Sequence, residues 1–232
     1  MYLLTETASP FALERWAAFF ANFGQFAKGF FYTLGISIGA LIVALLLGLI
    51  FGAMSSTHNK VLRGISRVYV EIFQNTPLLV QFVVVFYGIS ILTDGHVMIP
   101  ISLTAILCVG VYTGAYISEI IRTGIEAVPK GQTEAALSQG FTYADTMRII
   151  ILPQAVRTIL PPLTNQVVNL IKNTSTVAII SGADIMFTAK ACAYDTTNYV
   201  PAFAGAASLY FIMCFPLATW ARRKEEENKK AY

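Results

Sequence analysis

Long apolar runs alternate with short polar stretches along this chain, and the runs exceed what a strand or a buried helix of a soluble domain needs. Four windows contain no Asp, Glu, Lys or Arg: residues 29–59, 72–93, 96–118 and 196–221. A helix crossing a hydrocarbon layer of roughly 30 Å needs about 20 residues, so each window is long enough to span. Backbone N–H and C=O groups find no water in lipid, so helices are the expected form. A fifth apolar region, residues 147–171, carries Arg157, Pro153, Pro161 and Pro162, and only the fourteen residues 158–171 are uncharged. Arg157 near one end, snorkelling or facing protein, recovers the missing length. The pattern predicts an all-α membrane protein with about five transmembrane helices, the fourth a helix broken at its prolines.

Between the third and fourth spans lies a mostly polar segment, residues 131–153, that cannot lie in lipid. Val128-Pro129-Lys130-Gly131 stops the third span and turns the chain. Gln132 or Thr133 is expected to cap a short helix, with Glu134 in its first turn, where the dipole favours a carboxylate. Ala135 and Ala136 are small helix formers that let the helix approach a partner closely. Gly140 ends it and Phe141 offers an apolar anchor. Read locally, this is also an ordinary capped turn. At the N-terminus, Met1 to Pro10 lacks the basic start and apolar core of a signal peptide. Phe11 to Phe26 reads as an interfacial amphipathic helix leading into the first span.

Composition agrees with the pattern. The 232 residues are 56% hydrophobic and 12% charged, with mean hydropathy +0.62; soluble domains carry about a quarter charged residues. Charge also orients the chain. With the N-terminus outside, eleven of the sixteen Lys and Arg fall in inside segments, four fall outside, and Arg157 is left in the membrane. That bias places the C-terminus and the 131–153 segment in the cytoplasm. The net charge of +3 is accounted for by residues flanking the membrane and calls for no nucleic acid. No P-loop pattern is present. Cys108, Cys192 and Cys214 form no framework, and His58 and His96 have no partners at metal spacing. No metal or cofactor is expected. No nucleophile–base pair stands in a loop, which ranks a membrane enzyme last.

Polar side chains inside spans should face protein or water. Asn165, Asn169 and Lys172 fall within a sector of about 60° on the fourth helix, with Arg157 and Pro161 adjoining. Two readings stand: the amides bond across to neighbouring helices, or they line a pathway. Tyr87, Tyr112 and Tyr116 could face the path, but aromatics at helical spacing are more often packing residues. Asp184, Lys190 and Asp195 are expected on an outside loop as solvated charges.

The spacing of Glu134-Ala135-Ala136, Gly140, Ile150, Leu152 and Pro153 resembles the EAA loop of ABC-importer permeases. The flanks RTGIEAVPKGQ (residues 122–132) and LPQAVR (152–157) look like the subfamily that imports polar amino acids, and the likeness covers roughly residues 20 to 222. EIFQNTPLLVQ (71–81) is similar to that family's E-x-x-R-x-T-P-L-L-V-Q, with Gln74 where Arg is common. KNTST (172–176) resembles its K-D/N-T-S-L.

The resemblance implies a type I importer permease of the bacterial inner membrane, working by alternating access and performing no covalent chemistry. Its partners would be an ABC ATPase dimer, a second permease (the same chain or a paralogue) and an external solute-binding protein that delivers a polar amino acid. Glu134, Ala135, Ala136, Gly140 and Phe141 would couple to the ATPase. Glu71, Gln81, Glu119, Asn165, Asn169 and Lys172 are candidates for lining the pathway, though Glu119 could equally pair with Arg122 and Lys172 could be a snorkelling anchor. The expected organisation is an interfacial segment (1–28), a transmembrane permease domain (29–221) with its coupling loop at 129–147, and a cytoplasmic tail (222–232). A membrane channel or scaffold without ATP coupling is the alternative; it needs the polar stripe and not the loop.

Overall fold

The computed structural model describes residues 12–230. The reading of Met1–Pro10, together with Phe11 and the last two residues of the tail, falls outside them. All regular structure among the described residues is helical.

Two helices form the centre. α2 (Phe23–Ser55) and α6 (Ile101–Glu126) pack along most of their length. A seam of small residues makes this possible: Ala40, Ala44, Gly48 and Gly52, one helical turn apart and all buried, line α2. A Cβ at Gly48 would lie 2.4 Å from Ile117 Cγ2, and one at Gly110 would lie 2.7 Å from Val43 Cβ and 3.1 Å from the Ala40 carbonyl oxygen. Gly39 meets Ile106 and Gly52 meets Ile121 in the same way. Residue numbers rise together on both helices, so the two run parallel.

Parallel neighbours require the chain between them to travel back. That return is made by α3 (Lys60–Gln74), α4 (Leu78–Val83), a π turn (Val84–Gly88) and α5 (Ile89–Leu92). The 72–93 window, expected to span as a helix, holds a corner near its start: α3 and the Leu78–Leu92 stretch meet there at 97°. Pro77 disfavours helix at Thr76, and Asn75 ends α3. The carbonyls left open at the corner need donors. Gln81 supplies them: its Nε2 donates to the Phe73 carbonyl at 3.2 Å and to the Thr76 carbonyl at 3.1 Å.

α6 ends before Pro129, and the polar segment α7 (Lys130–Ser138) and α8 (Tyr143–Asp145) follows. A π turn, Thr146–Ile151, leads into α9 (Leu152–Asn173). Gly124 of α6 abuts Ile159 of α9, and Gly182 beyond α9 approaches Ile101, so α9 runs antiparallel to α6. The expected break at Pro161 and Pro162 does not occur: α9 continues through both. A helix can do this when packed neighbours accommodate the freed backbone, and α9 packs against both α6 and α11. The irregularity falls at the π turn instead, just before Pro153.

A 3₁₀ stretch, Thr174–Ile180, closes α9, and α10 (Ile185–Thr196) follows. The expected outside loop carrying Asp184, Lys190 and Asp195 is therefore mostly helix, and Asp184 is not solvated. It is 0% exposed, caps α10 by accepting from the Met186 and Phe187 N–H groups, and accepts from the Tyr210 hydroxyl at 3.1 Å. α11 (Tyr199–Lys230) returns along α9, and the two share grooves, one lined by Ser175 and Phe203 and another by Val168 and Ala218. α1 (Leu13–Ala21) is more than an interfacial segment, because Phe19 is buried against Gly205 of α11 and Phe26 of α2. α2 starts at Phe23, so Lys28 lies within this helix.

α2, α6 and α11 are each long and apolar enough to cross a membrane, and the bent pairs bring the total to as many as five. The C-terminal ends of α2, α6 and α11 and the start of α9 share one end of the bundle.

Two substitutions test this packing. Gly48→Leu forces a side chain into Ile117 and should cost about 1–3 kcal/mol, seen as a lower thermal midpoint in detergent; adding Ile117→Ala should recover part of the loss. Gln81→Leu leaves two corner carbonyls without a donor and should cost on the order of 1–3 kcal/mol by the same measurement, whereas an unchanged midpoint would mean that water serves the corner as well.

Candidate functional site

The polar segment is built by backbone rules. Pro129 precedes α7 in extended conformation and takes the N-cap position, so the helix starts at Lys130, earlier than a Gln132 or Thr133 cap would set it. Its far end closes on Gly140, whose φ of +88° is open to glycine and strained for most other residues. The Gly140 N–H donates to the Leu137 carbonyl at 3.0 Å and the Phe141 N–H to the Ala136 carbonyl at 3.2 Å. This paired closure is the glycine-terminated C-cap described for many helices. Thr142 then caps α8 by accepting from the Asp145 N–H.

α7 seats on the π turn. Ala136, expected to face a partner, is 3% exposed and packs into its own chain; its small side chain allows that close seat. Glu134, Ala135, Leu137 and Phe141 are exposed, with Leu137 at 46% and Phe141 at 37%. Ala135 and Leu137 on α7 and Phe141 just beyond it thus leave a methyl and two large apolar groups exposed beyond the end of the membrane helices, with the exposed Glu134 carboxylate beside them.

Two cavities open at this end of the bundle. The first, about 740 Å³, lies between the α2–α3 turn, the end of α6 and the α7–α8 segment; Arg63, Glu126, Lys130 and Glu134 line it. His58, expected as an isolated loop residue, meets Tyr143 edge-on across it with ring centres 5.2 Å apart. The second, about 520 Å³, lies between α3 and α6 and holds Arg63, Arg67, Glu71, Gln74, Ser118, Glu119, Arg122 and Glu126. Arg122 pairs with both Glu119 and Glu126, and Arg67 pairs with Glu71 at 3.3 Å.

The structure divides the expected lining residues. Glu71 and Glu119 share the second cavity. Gln81 spends its amide on the 97° corner. Asn165, Asn169 and Lys172 are exposed on α9, and none of them lines either cavity. Gln74, standing where the family commonly has Arg, donates to the Ala115 carbonyl at 3.2 Å and ties α3 to α6. Tyr112 and Tyr116 bond to each other, 3.1 Å between hydroxyls. Sequence reasoning missed Ser118, Glu126 and Arg63 as cavity residues. The spacing of Glu119, Arg122 and Glu126 at i, i+3 and i+7 on one helix face is the signal that could have found Glu126.

Known proteins resemble this chain over most of its length. The "Probable glutamine ABC transporter permease protein GlnM" of Bacillus subtilis (strain 168) is 37% identical over 216 residues, covering 92% of this chain and 97% of that protein. The "Glutamate/aspartate import permease protein GltJ" of Escherichia coli (strain K12) is 36% identical over 172 residues, 70% of each. Among solved structures, the "Crystal structure of an amino acid ABC transporter with histidines" superposes with TM-score 0.84 at 31% identity, covering 91% of this chain and 98% of that one. An inward-facing MetNI methionine ABC transporter shares the fold, with TM-score 0.68 at 17% identity and 87% and 97% coverage. The family model for the "Binding-protein-dependent transport system inner membrane component" matches residues 44–225, a stretch that holds α6, both cavities and α7, and the chain belongs to that family.

Proposed function

We propose that this chain is the permease of an ATP-driven importer and carries a polar amino acid delivered by an extracytoplasmic solute-binding protein. The observation that carries the reading is α7: a short, capped helix seated on its own chain through Ala136 with Glu134, Ala135, Leu137 and Phe141 turned outward. A rigid knob of this kind suits the cleft of an ATPase subunit. The names of the relatives support a polar amino acid as cargo. Two ATPase subunits and a second permease, the same chain or a paralogue, complete the assembly.

In this reading the N-terminus lies outside and the C-terminus in the cytoplasm. The end of the bundle that carries α7 also carries Lys60, Arg63, Arg67, Lys130 and Arg148, as the inside bias of cations requires. Glu71 and Glu119 line the pathway through the second cavity, and Asn165, Asn169 and Lys172 offer a further polar face on α9. ATP binding draws the two coupling helices together and opens the pathway outward; hydrolysis resets it. The permease is a two-state element biased by ligands on both sides.

The alanines separate docking from folding. In proteoliposomes holding the chain with its ATPase and binding protein, Ala135→Arg should leave the thermal midpoint unchanged and abolish ligand-stimulated ATP hydrolysis and uptake. Ala136→Leu, which overfills the seat on the π turn, should in addition cost stability, about 1–3 kcal/mol. If Ala135→Arg imports and hydrolyses normally, α7 is not the coupling element and the channel or scaffold reading takes its place. Gly140→Val strains the left-handed corner by roughly 1–2 kcal/mol. It should reduce stimulation without loss of assembly, because a Cβ at Gly140 meets nothing within 4 Å.

A further inference from the structure

We infer that Asp184 is a positioning residue of the transport cycle: it ties α10 to α2 and α11, so that the outer ends of these helices move as one body when a binding protein engages that side. The inference rests on the import reading and goes further, to the part of the chain that carries the signal inward.

Asp184 is a costly residue for its position. It is fully buried, and no ion pair among the described residues includes it. Burying a carboxylate without a cation is unfavourable, and Ser, Thr or Asn would cap a helix without that cost. An ionised carboxylate differs from those caps in accepting at both oxygens and donating at neither. Asp184 uses both. Its Oδ1 accepts from the Phe187 N–H at 3.0 Å, and its Oδ2 accepts from the Met186 N–H at 3.1 Å and from the Tyr210 hydroxyl at 3.1 Å. The first two bonds close the start of α10, where the helix dipole favours negative charge. The third reaches α11 and has no part in capping.

The same turn is fastened to α2. The Ile185 N–H donates to Thr33 Oγ1 at 3.2 Å, and Thr33 is itself buried. A Cβ at Gly29, one turn earlier on α2, would lie 2.9 Å from Thr188 Oγ1 and 3.1 Å from the Asp184 carbonyl oxygen. The first turn of α10 thus rests directly on the α2 backbone. Thr174, at the close of α9, is also buried, and its hydroxyl lies beside that of Tyr210.

The place of this node gives it its role. Gly29 and Thr33 lie near the start of α2, whereas α7 lies beyond the far ends of α2 and α6. Tyr194 on α10 and Tyr199 at the start of α11 are exposed on the outer side, their rings edge-on to each other. Apolar contact is non-directional and by itself would let α10 slide over α11. The Tyr210 and Thr33 bonds fix its register, so a displacement of α10 is passed to both spans.

The test uses proteoliposomes holding the chain with its ATPase, and reads ATP hydrolysis without and with the liganded binding protein. Tyr210→Phe removes only the third bond. It should lower the ratio of stimulated to basal hydrolysis roughly three- to tenfold, the worth of one hydrogen bond, with basal hydrolysis unchanged. Asp184→Asn keeps a capping oxygen but puts an amide donor in place of the second acceptor, and should act in the same way. The double variant should fall no further than the lower single one, because both lose the same bond. Thr33→Val should also lower the ratio, and Thr33→Ser, which keeps the acceptor, should preserve it. A purely structural role would reduce the amount of assembled complex, and with it both rates together, leaving the ratio intact. A wild-type ratio in Tyr210→Phe or in Thr33→Val, or losses that add in the double variant, would overturn the inference. Where the wild type is stimulated, the import reading survives that result; a wild type that shows neither stimulation nor uptake removes both.

Discussion

Close parallel contact between α2 and α6 is the constraint on which the rest of the chain depends. In lipid there is little hydrophobic gain in pressing two apolar helices together, so association comes from dispersion contacts at short range. Small residues at one-turn spacing on α2, with Gly110 and Gly114 on α6, let the backbones approach. Because the pair is parallel, the chain must recross between them, and the α2–α3 turn comes to lie beside the end of α6. Both cavities and the seat of α7 follow from that juxtaposition. A seam of larger residues would separate the helices and with them the walls of both cavities.

Irregular backbone elsewhere is supplied with partners from within the chain. The corner at Pro77 has Gln81, the end of α7 has the Gly140 closure, and the start of α10 has Asp184. Each device answers the rule that buried or lipid-facing peptide groups must be bonded. Each uses an uncharged amide, the main chain or a capped carboxylate, which adds little to a count of charges along the chain.

This explains what could be read from the amino-acid order and what could not. Apolar windows locate helices because hydrocarbon excludes charge, and the polar 131–153 segment stands out for the same reason. The corner in the second span is hidden because Asn75, Thr76 and Pro77 carry no charge; Pro77 alone marks it. Pro161 and Pro162 suggested a break that the surrounding helices make unnecessary. Asp184 looked solvated because its donors lie partly on α11, remote in sequence. Ala135 and Ala136 are adjacent and chemically alike, and only the seat on the π turn tells the inward one from the outward one. The α2 seam was legible as Ala40, Ala44, Gly48 and Gly52, four small residues at equal spacing, but an apolar window hides size. Glu71 and Glu119 stand out in the sequence as ionisable residues at the edges of spans; that they share a cavity with Arg63 and Ser118 is set by tertiary packing.

The length of α2 has a mechanical consequence. Its 33 residues measure roughly 50 Å along the axis, well beyond a hydrocarbon core of about 30 Å. Such a helix meets a thinner bilayer by tilting further. The glycine seam prevents it from tilting alone, so α6 must lean with it. The end of α6 passes directly into Pro129 and α7. Membrane thickness thereby acts on the angle at which α7 is presented at the end of the bundle.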